Sequence, residues 1–284
     1  MTTLTELANK FGTDKGTISQ AGHSYTTIYD LLLNSRRDQA LNILEIGLST
    51  GGPELGNPAD RAVTDIPSVK MWHEFFPNAK IYGIDISDFS QFRAEWFYFI
   101  QADCGDERQL EKAADLGINF DIIVDDGSHA SFHQQLTLLK LFATLKSGGL
   151  YIIEDLDWQP RHYEQSLPSA PTTVAQLRSF IKNGSFIGSS ALPAERWTSI
   201  QKQISNVFLL DDDELYGMRR IYNRQKRIEP QNAHYYDSST WARLLTRGYA
   251  RRMVEGSAEF LRAVTAQYGP LRRSRVKLGI IHKA

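Results

Sequence analysis

The chain has 284 residues, 42% hydrophobic and 23% charged, ordinary globular proportions with length for one large domain or one domain with an elaboration. No apolar run approaches the roughly 18 residues of a membrane span, the polar start MTTLTELANKFGTDKG lacks the pattern of a secretion signal, and the single Cys104 excludes an intramolecular disulfide and a cysteine-based zinc site, so a cytoplasmic location is expected. The net charge of −1 hides an asymmetry, since residues 217–284 hold 15 Lys or Arg against 4 acids while residues 1–216 hold 17 against 29, which points to an anionic ligand, nucleic acid, or parts that dock on each other.

From residue 42 onward, β-forming runs alternate with helical spacing. NILEIG (42–47), KIYGIDI (80–86), FYFIQAD (97–103), FDIIVDD (120–126) and GLYIIED (149–155) are predicted strands. Between them Val69–Phe76, Glu107–Leu116 and Ser131–Leu145 are predicted helical, the last stopped by Gly148-Gly149. ISNVFLL (204–210) and RVKLGIIHK (275–283) complete seven strands, separated by about 64 Arg-rich residues with helical patterns near Thr240–Leu245 and Ala258–Gln267. Near-continuous apolar strands separated by helices predict a parallel sheet with helices on both faces.

The strand ends carry the chemistry. NILEIGLSTGG places Glu45 in the first strand and Gly47, Gly51 and Gly52 in the turn after it, where glycine lets backbone approach a nucleoside cofactor. The spacing is G-x-x-x-G-G, which a plain tight turn also satisfies. Asp85 ends the second strand, where an acid can accept from both ribose hydroxyls of an adenosine. The usual gap to that acid is about 20 residues, and here Gly47 and Asp85 are 38 apart, so residues 53–67 must loop out. Asp103, after the third strand, is placed to reach an adenine amino group or simply to cap its strand.

In this order NILEIGLSTGG, IYGIDIS, QADCGD, DIIVDDGSH and LKSGGLYIIEDL resemble the class I S-adenosylmethionine-dependent methyltransferases, and more narrowly the metal-dependent sugar O-methyltransferases of macrolide and glycoside biosynthesis. KFGTDKGTISQAGHSYTTIYDLLL (10–33) and PSVKMWHEFFPNAKIYGIDI (67–86) strengthen the likeness, which covers roughly residues 8–156. The resemblance implies a Rossmann-like seven-stranded α/β sheet, with an N-terminal helical cap over residues 1–36. The methyltransferase domain would span 37–284, with a long basic insertion at about 212–274 before the last strand. It also implies that Glu45, Gly47 and Gly51 line the methionine end of S-adenosylmethionine, Asp85 holds the ribose, and Asp103 sits near the adenine. Lys15, His23 and Tyr25 fall in a segment that folds over the cofactor in such enzymes. Asp126, Glu154 and Asp155 match divalent-cation ligands, and His129 matches the catalytic base. Asp125 is counted with the cofactor contacts, although strand alternation would turn it toward the scaffold.

The residues make part of this case alone. Strands ending in DDGSH and IIEDL lie about 4.8 Å apart if they are neighbours, and three converging carboxylates repel unless a cation or protons intervene. All-oxygen ligands favour Mg²⁺, with Mn²⁺ or Ca²⁺ next. A hydroxyl is a poor nucleophile until a cation lowers its pKa, and an imidazole with an ordinary pKa of about 6.5 suits removal of its proton. Asp125 or Asp126 before Gly-Ser also fits a turn and helix cap. His23 is the second choice of base, and His133 is read as a packing or surface residue rather than half of a zinc pair with His129. His162 and His234 have no deciding context. Trp158, Trp197, Tyr235, Tyr236 and Trp241 suit core packing better than sugar stacking.

The expected function is Mg²⁺-assisted O-methylation of a sugar or glycoside hydroxyl, with a catechol-like vicinal diol as the alternative acceptor. A nicotinamide-dependent dehydrogenase is disfavoured by the missing G-x-G-x-x-G. A nucleic-acid-binding protein lacks an aromatic-basic RNA motif. The basic rear segment is expected to act as a lid, acceptor element or contact in a homo-oligomer, because opposite charges favour docking.

Overall fold

The computed structural model describes residues 2–18, 22–215, 217–218 and 275–284. The chain forms two compact units, Met1–Asp38 with Asp211–Arg275, and Gln39–Leu210 with Val276–Ala284. The helical patterns expected near 240–245 and 258–267, and His234, Tyr235, Tyr236 and Trp241, lie outside the described residues.

In the first unit, α1 (Leu4–Phe11) packs on α2 (Tyr25–Leu33). Thr3 caps α1 by accepting from the Glu6 N–H at 3.1 Å, while Glu6 accepts from the Thr3 N–H at 2.8 Å, and Gly12 ends the helix at φ 76°. Asp30 of α2 accepts from the N–H groups of Leu4 (2.7 Å) and Thr5 (3.3 Å) at that same terminus, fastening one helix to the other. Burial pushes the Asp30 carboxyl up to about 6, against the lowering effect of these bonds.

The second unit holds the sheet, in the order β3-β2-β1-β4-β5-β7-β6. Its strands are β1 (Asn42–Ile46), β2 (Lys80–Asp85), β3 (Phe97–Gln101), β4 (Phe120–Asp125), β5 (Leu145–Ile153), β6 (Ile204–Asp211) and β7 (Val276–Lys283). All seven expected strands form. The first five are parallel, as continuous burial of both faces requires, but β7 runs antiparallel to β5, so the sheet is mixed. Ile43, Leu44, Ile46, Ile122, Ile123 and Val124 are fully buried on the two central strands. Helices α3 (Pro67–Phe75), α4 (Glu107–Ala114) and α5 (Ser131–Leu141) connect the parallel strands. Pro67 opens α3, and Asp106 caps α4 through the Arg108 N–H at 2.9 Å.

The junction of α5 and β5 departs from expectation. The helix ends at Leu141 and β5 begins at Leu145, so Gly148-Gly149 does not stop the helix. Those glycines form a bulge: Phe120 pairs with Leu145 and Ile122 with Leu150, with Gly148 at φ 76°. Lys283 of β7 donates to the carbonyls of Phe142 (3.2 Å), Ala143 (3.2 Å) and Leu145 (2.7 Å), fastening the turn between α5 and β5. Three helices unforeseen in the sequence, α6 (Arg161–Ser166), α7 (Thr173–Asn183) and α8 (Ala194–Gln201), lie between β5 and β6. The Asp212 N–H donates to the Arg275 carbonyl at 3.2 Å where the chain leaves β6 and enters β7. Among the described residues no helix is long and apolar enough to cross a membrane.

Candidate active site

Strand order reverses between β1 and β4, and in open α/β sheets the crevice beyond the carboxyl ends at such a point receives ligands. Gly47 lies at its centre with φ 83°. Its N–H donates to Ile84 at 2.8 Å, and the Asp126 N–H donates to Ile46 at 2.9 Å. A Cβ on Gly47 would stand 2.6 Å from the Asp126 carbonyl carbon and 2.8 Å from Gly127 Cα. The close approach that demands glycine here is to the chain's own backbone. Gly51 also has positive φ, 96°.

Glu45 is fully buried and accepts from the Ser68 hydroxyl at 2.8 Å. Asp85 ties β2 to the first loop, since its two oxygens accept from the Leu48 N–H (2.9 Å) and the Ser87 N–H (2.8 Å). Burial pushes the Asp85 carboxyl up, and these N–H bonds together with the Arg61 charge hold it back. Arg61, from the looped-out segment, donates to Ser87 and, at 2.8 Å, to the Ser49 carbonyl, so that segment is tied back across the strand ends. Asp103 accepts from the Gly105 N–H at 2.7 Å in its own turn. Burial pushes the Cys104 thiol well up, and Asp125, Asp103 and Asp85 add to this, so the acids of three strand ends share one neighbourhood.

The ends of β4 and β5 are adjacent, with Asp125 paired to Ile153, and there ligand atoms of Asp126, His129 and Asp155 all lie within 4.8 Å of one another. His129 Nε2 is 3.9 Å from Asp155 Oδ2. Asp155 is buried and the other two are half-buried. His129 (φ 58°) and Asp155 (φ 51°) both adopt left-handed backbone, a conformation costing about 1–3 kcal/mol for such residues and concentrated at functional sites. Among the described residues Glu154 is not part of this trio; it is buried beside Asp155, its N–H bonded to the Asp125 carbonyl at 3.0 Å.

Asp125 faces the scaffold, which replaces the cofactor contact expected of it. Its buried carboxylate accepts from the hydroxyls of Thr137 and Tyr151 (3.2 Å) and from the Gly127 N–H (3.4 Å). Burial pushes it up to about 6, with the Thr137, Gly127 and Tyr151 bonds opposing.

His133 was read as packing or surface, and it is buried with a polar role. Its Nδ1 lies 2.8 Å from Ser128 Oγ, and a Cβ on Gly105 would be 2.5 Å from its Nε2 and 3.2 Å from Asp103 Oδ1. His133 thus braces the turn after β3 against the turn that carries His129. Burial lowers its pKa, against the Asp103 and Glu54 charges. Among the described residues it lies outside the trio. Among the tryptophans, Trp197 is fully buried and Trp158 is 41% exposed with its indole edge-to-face on His129. His162 lies on α6 and is exposed.

Lys15, His23 and Tyr25 belong to the first unit. Lys15 is buried, and its carbonyl accepts from the Thr26 N–H (3.1 Å) and hydroxyl (3.0 Å). His23 stacks on Tyr25, ring centres 5.2 Å apart, with Nε2 4.0 Å from Asp14.

No family model matches the chain. Curated relatives include the 8-demethyl-8-alpha-L-rhamnosyl tetracenomycin-C 2'-O-methyltransferase of Streptomyces olivaceus, 37% identical over 153 residues, or 54% of this chain and 37% of the relative. The mycinamicin VI 2''-O-methyltransferase of Micromonospora griseorubida is 36% identical over 156 residues, covering 54% and 36%. The chain therefore spans little more than a third of the length of these relatives. Among solved structures, the mycinamycin-pathway methyltransferase MycE, in complex with Mg, SAH and mycinamycin VI, superposes with TM-score 0.57 at 29% identity, over 74% of this chain and 52% of that one. The second unit carries the α/β methyltransferase fold.

Proposed function

We propose that this chain transfers the methyl group of S-adenosylmethionine to a hydroxyl of a sugar or glycoside, with a divalent cation held between β4 and β5. The observation that carries this is the convergence of Asp126, His129 and Asp155 outside two adjacent strands. Sugar O-methyltransferases among the relatives, and a structural neighbour holding Mg, SAH and a glycoside, support the same reading.

The donor set fits a hard cation. Asp126 and Asp155 would be its ligands, with Glu154, the chain neighbour of Asp155, as a further candidate, because carboxylate oxygens suit a hard cation. Such a cation, when bound, orients two vicinal oxygens and lowers the pKa of the accepting hydroxyl. His129, its Nε2 on the Asp155 side, takes the hydroxyl proton as the oxygen attacks the methyl carbon and the sulfonium leaves as a thioether. Asp85 and Asp103 are assigned to the ribose and adenine, Glu45, Gly47 and Gly51 to the methionine end, and Lys15, His23 and Tyr25 to the cofactor's cover. We place the enzyme in the cytoplasm on the strength of its lone Cys104, and read the +11 rear segment as an acceptor element or oligomer contact. Incubation with labelled S-adenosylmethionine and a panel of glycosides and catechols, with and without EDTA, tests the proposal. Label transfer to a glycoside that EDTA abolishes is the expected result; transfer to none of them refutes it.

A further inference from the structure

We propose that Trp158 is the platform on which the acceptor ring stacks, its face binding the C–H face of a six-membered sugar while the carboxylates and His129 address the hydroxyl edge. The inference rests on the methyl-transfer reading of the same site. Trp158 is 41% exposed, whereas Trp72 and Trp197 are fully buried. Its ring meets that of His129 edge-to-face, with centres 5.3 Å apart and planes at 71°. Its backbone N–H donates to the Asp155 carbonyl at 3.0 Å, so the tryptophan is seated on the same turn as the acid. Placement beside His129 follows from this turn: positive φ at Asp155 folds the chain back, and the third residue on returns toward the imidazole.

An indole left in water next to charged groups contributes little to folding, and the geometry points to a ligand instead. Carbohydrates are amphipathic by face: axial C–H bonds gather on one side of the ring, and hydroxyls project from its edge. An electron-rich indole face complements the slightly positive C–H bonds, and a deoxysugar presents more of them. The T-shaped contact uses His129 against one part of the indole and leaves the exposed surface for the ring that carries the reacting oxygen.

The test follows binding of methyl α-L-rhamnopyranoside to the full chain with SAH and Mg²⁺ present, by saturation-transfer NMR and titration. In wild type, saturation should concentrate on the C–H protons of one ring face. Trp158→Ala should weaken binding at least tenfold and erase that pattern, and Trp158→Phe should restore most of the affinity. SAH and S-adenosylmethionine affinities by calorimetry should stay within twofold in both variants. Unchanged rhamnoside affinity in Trp158→Ala would overturn the proposal, as would a selective loss of S-adenosylmethionine over SAH, which would place the indole on the sulfonium. Wild type that binds SAH and a catechol but no rhamnoside overturns the sugar-face assignment. Wild type that binds no SAH overturns the underlying methyl-transfer reading.

Discussion

Replacing Gly47 by alanine tests whether the first loop and the β4 turn share a wall. The added Cβ falls closest to the Asp126 carbonyl oxygen and 2.6 Å from its carbon, so the two segments must separate by more than about 0.8 Å to reach the 3.4 Å of ordinary contact. One backbone hydrogen bond joins them, Asp126 N–H to the Ile46 carbonyl at 2.9 Å, and another, Gly47 N–H to the Ile84 carbonyl at 2.8 Å, ties the loop to β2; moving Gly47 and Asp126 apart stretches both. Weakened hydrogen bonds cost about 0.5–1.5 kcal/mol each, and left-handed backbone costs an alanine about 1–2 kcal/mol. A total of about 2–5 kcal/mol corresponds to a melting temperature lower by about 5–15 °C for a unit of this size. Turnover should fall about 10²-fold, since a displacement near 1 Å at a reacting centre has that effect. Gly56→Ala is the matched control: its φ is 82°, yet nothing lies within 4 Å of the added Cβ. It should lose only the backbone term and keep full methyl transfer. Scanning fluorimetry and the labelled-methyl assay read both variants. Equal behaviour of the two would refute the contact reasoning.

Further outcomes are expected elsewhere. His129→Ala should lower kcat about 10²- to 10⁴-fold while calorimetry finds SAH affinity unchanged; near wild-type turnover would reduce His129 to a turn residue. Asp126→Asn should mimic EDTA in the methyl-transfer assay. Asp125→Ala should instead lower stability by about 1–3 kcal/mol, because the buried Tyr151 hydroxyl loses its carboxylate acceptor and Thr137 loses one of its partners; denaturation midpoints matching wild type would contradict that role. Asp30, raised from 3.8 to about 6, binds its proton more tightly folded than unfolded, so its contribution is fully present below about pH 4 and is lost as pH climbs through 6, by at most about 3 kcal/mol. Urea midpoints between pH 4 and 7.5 should show a slope in wild type that flattens in Asp30→Asn, and parallel curves would count against it.

The central strands were legible because burial on both faces demands unbroken apolar runs, and those of β2, β4 and β5 stop at acids, Asp85, Asp125 and Glu154. Asp126 and Asp155 could therefore be expected together from the sequence, while Glu154, counted with them, falls outside the trio that His129 completes. The bulge at Gly148 was not legible, since two glycines after a helical pattern look like a stop, and only the pairing with β4 reveals the extra residues. Helices α6 to α8 escaped notice for a different reason: α6 buries none of its residues, and prolines at 160, 168, 171 and 193 break the segment into pieces too short for a clear period. Asp125 was foreseen facing inward by alternation, but Thr137 and Tyr151 as its donors required tertiary structure. The Ser128 to His133 brace spans the start of a helix, where no spacing rule announces a contact.

The bond from Asp212 to Arg275 means that the stretch between them departs and returns through a single doorway. The entropy of closing a loop rises only with the logarithm of its length, so halving or doubling such a stretch shifts the balance by about 0.6 kcal/mol. The exit of β6 and the entry of β7 are held side by side by that bond, whereas one methyl group added at Gly47 meets backbone within 3 Å.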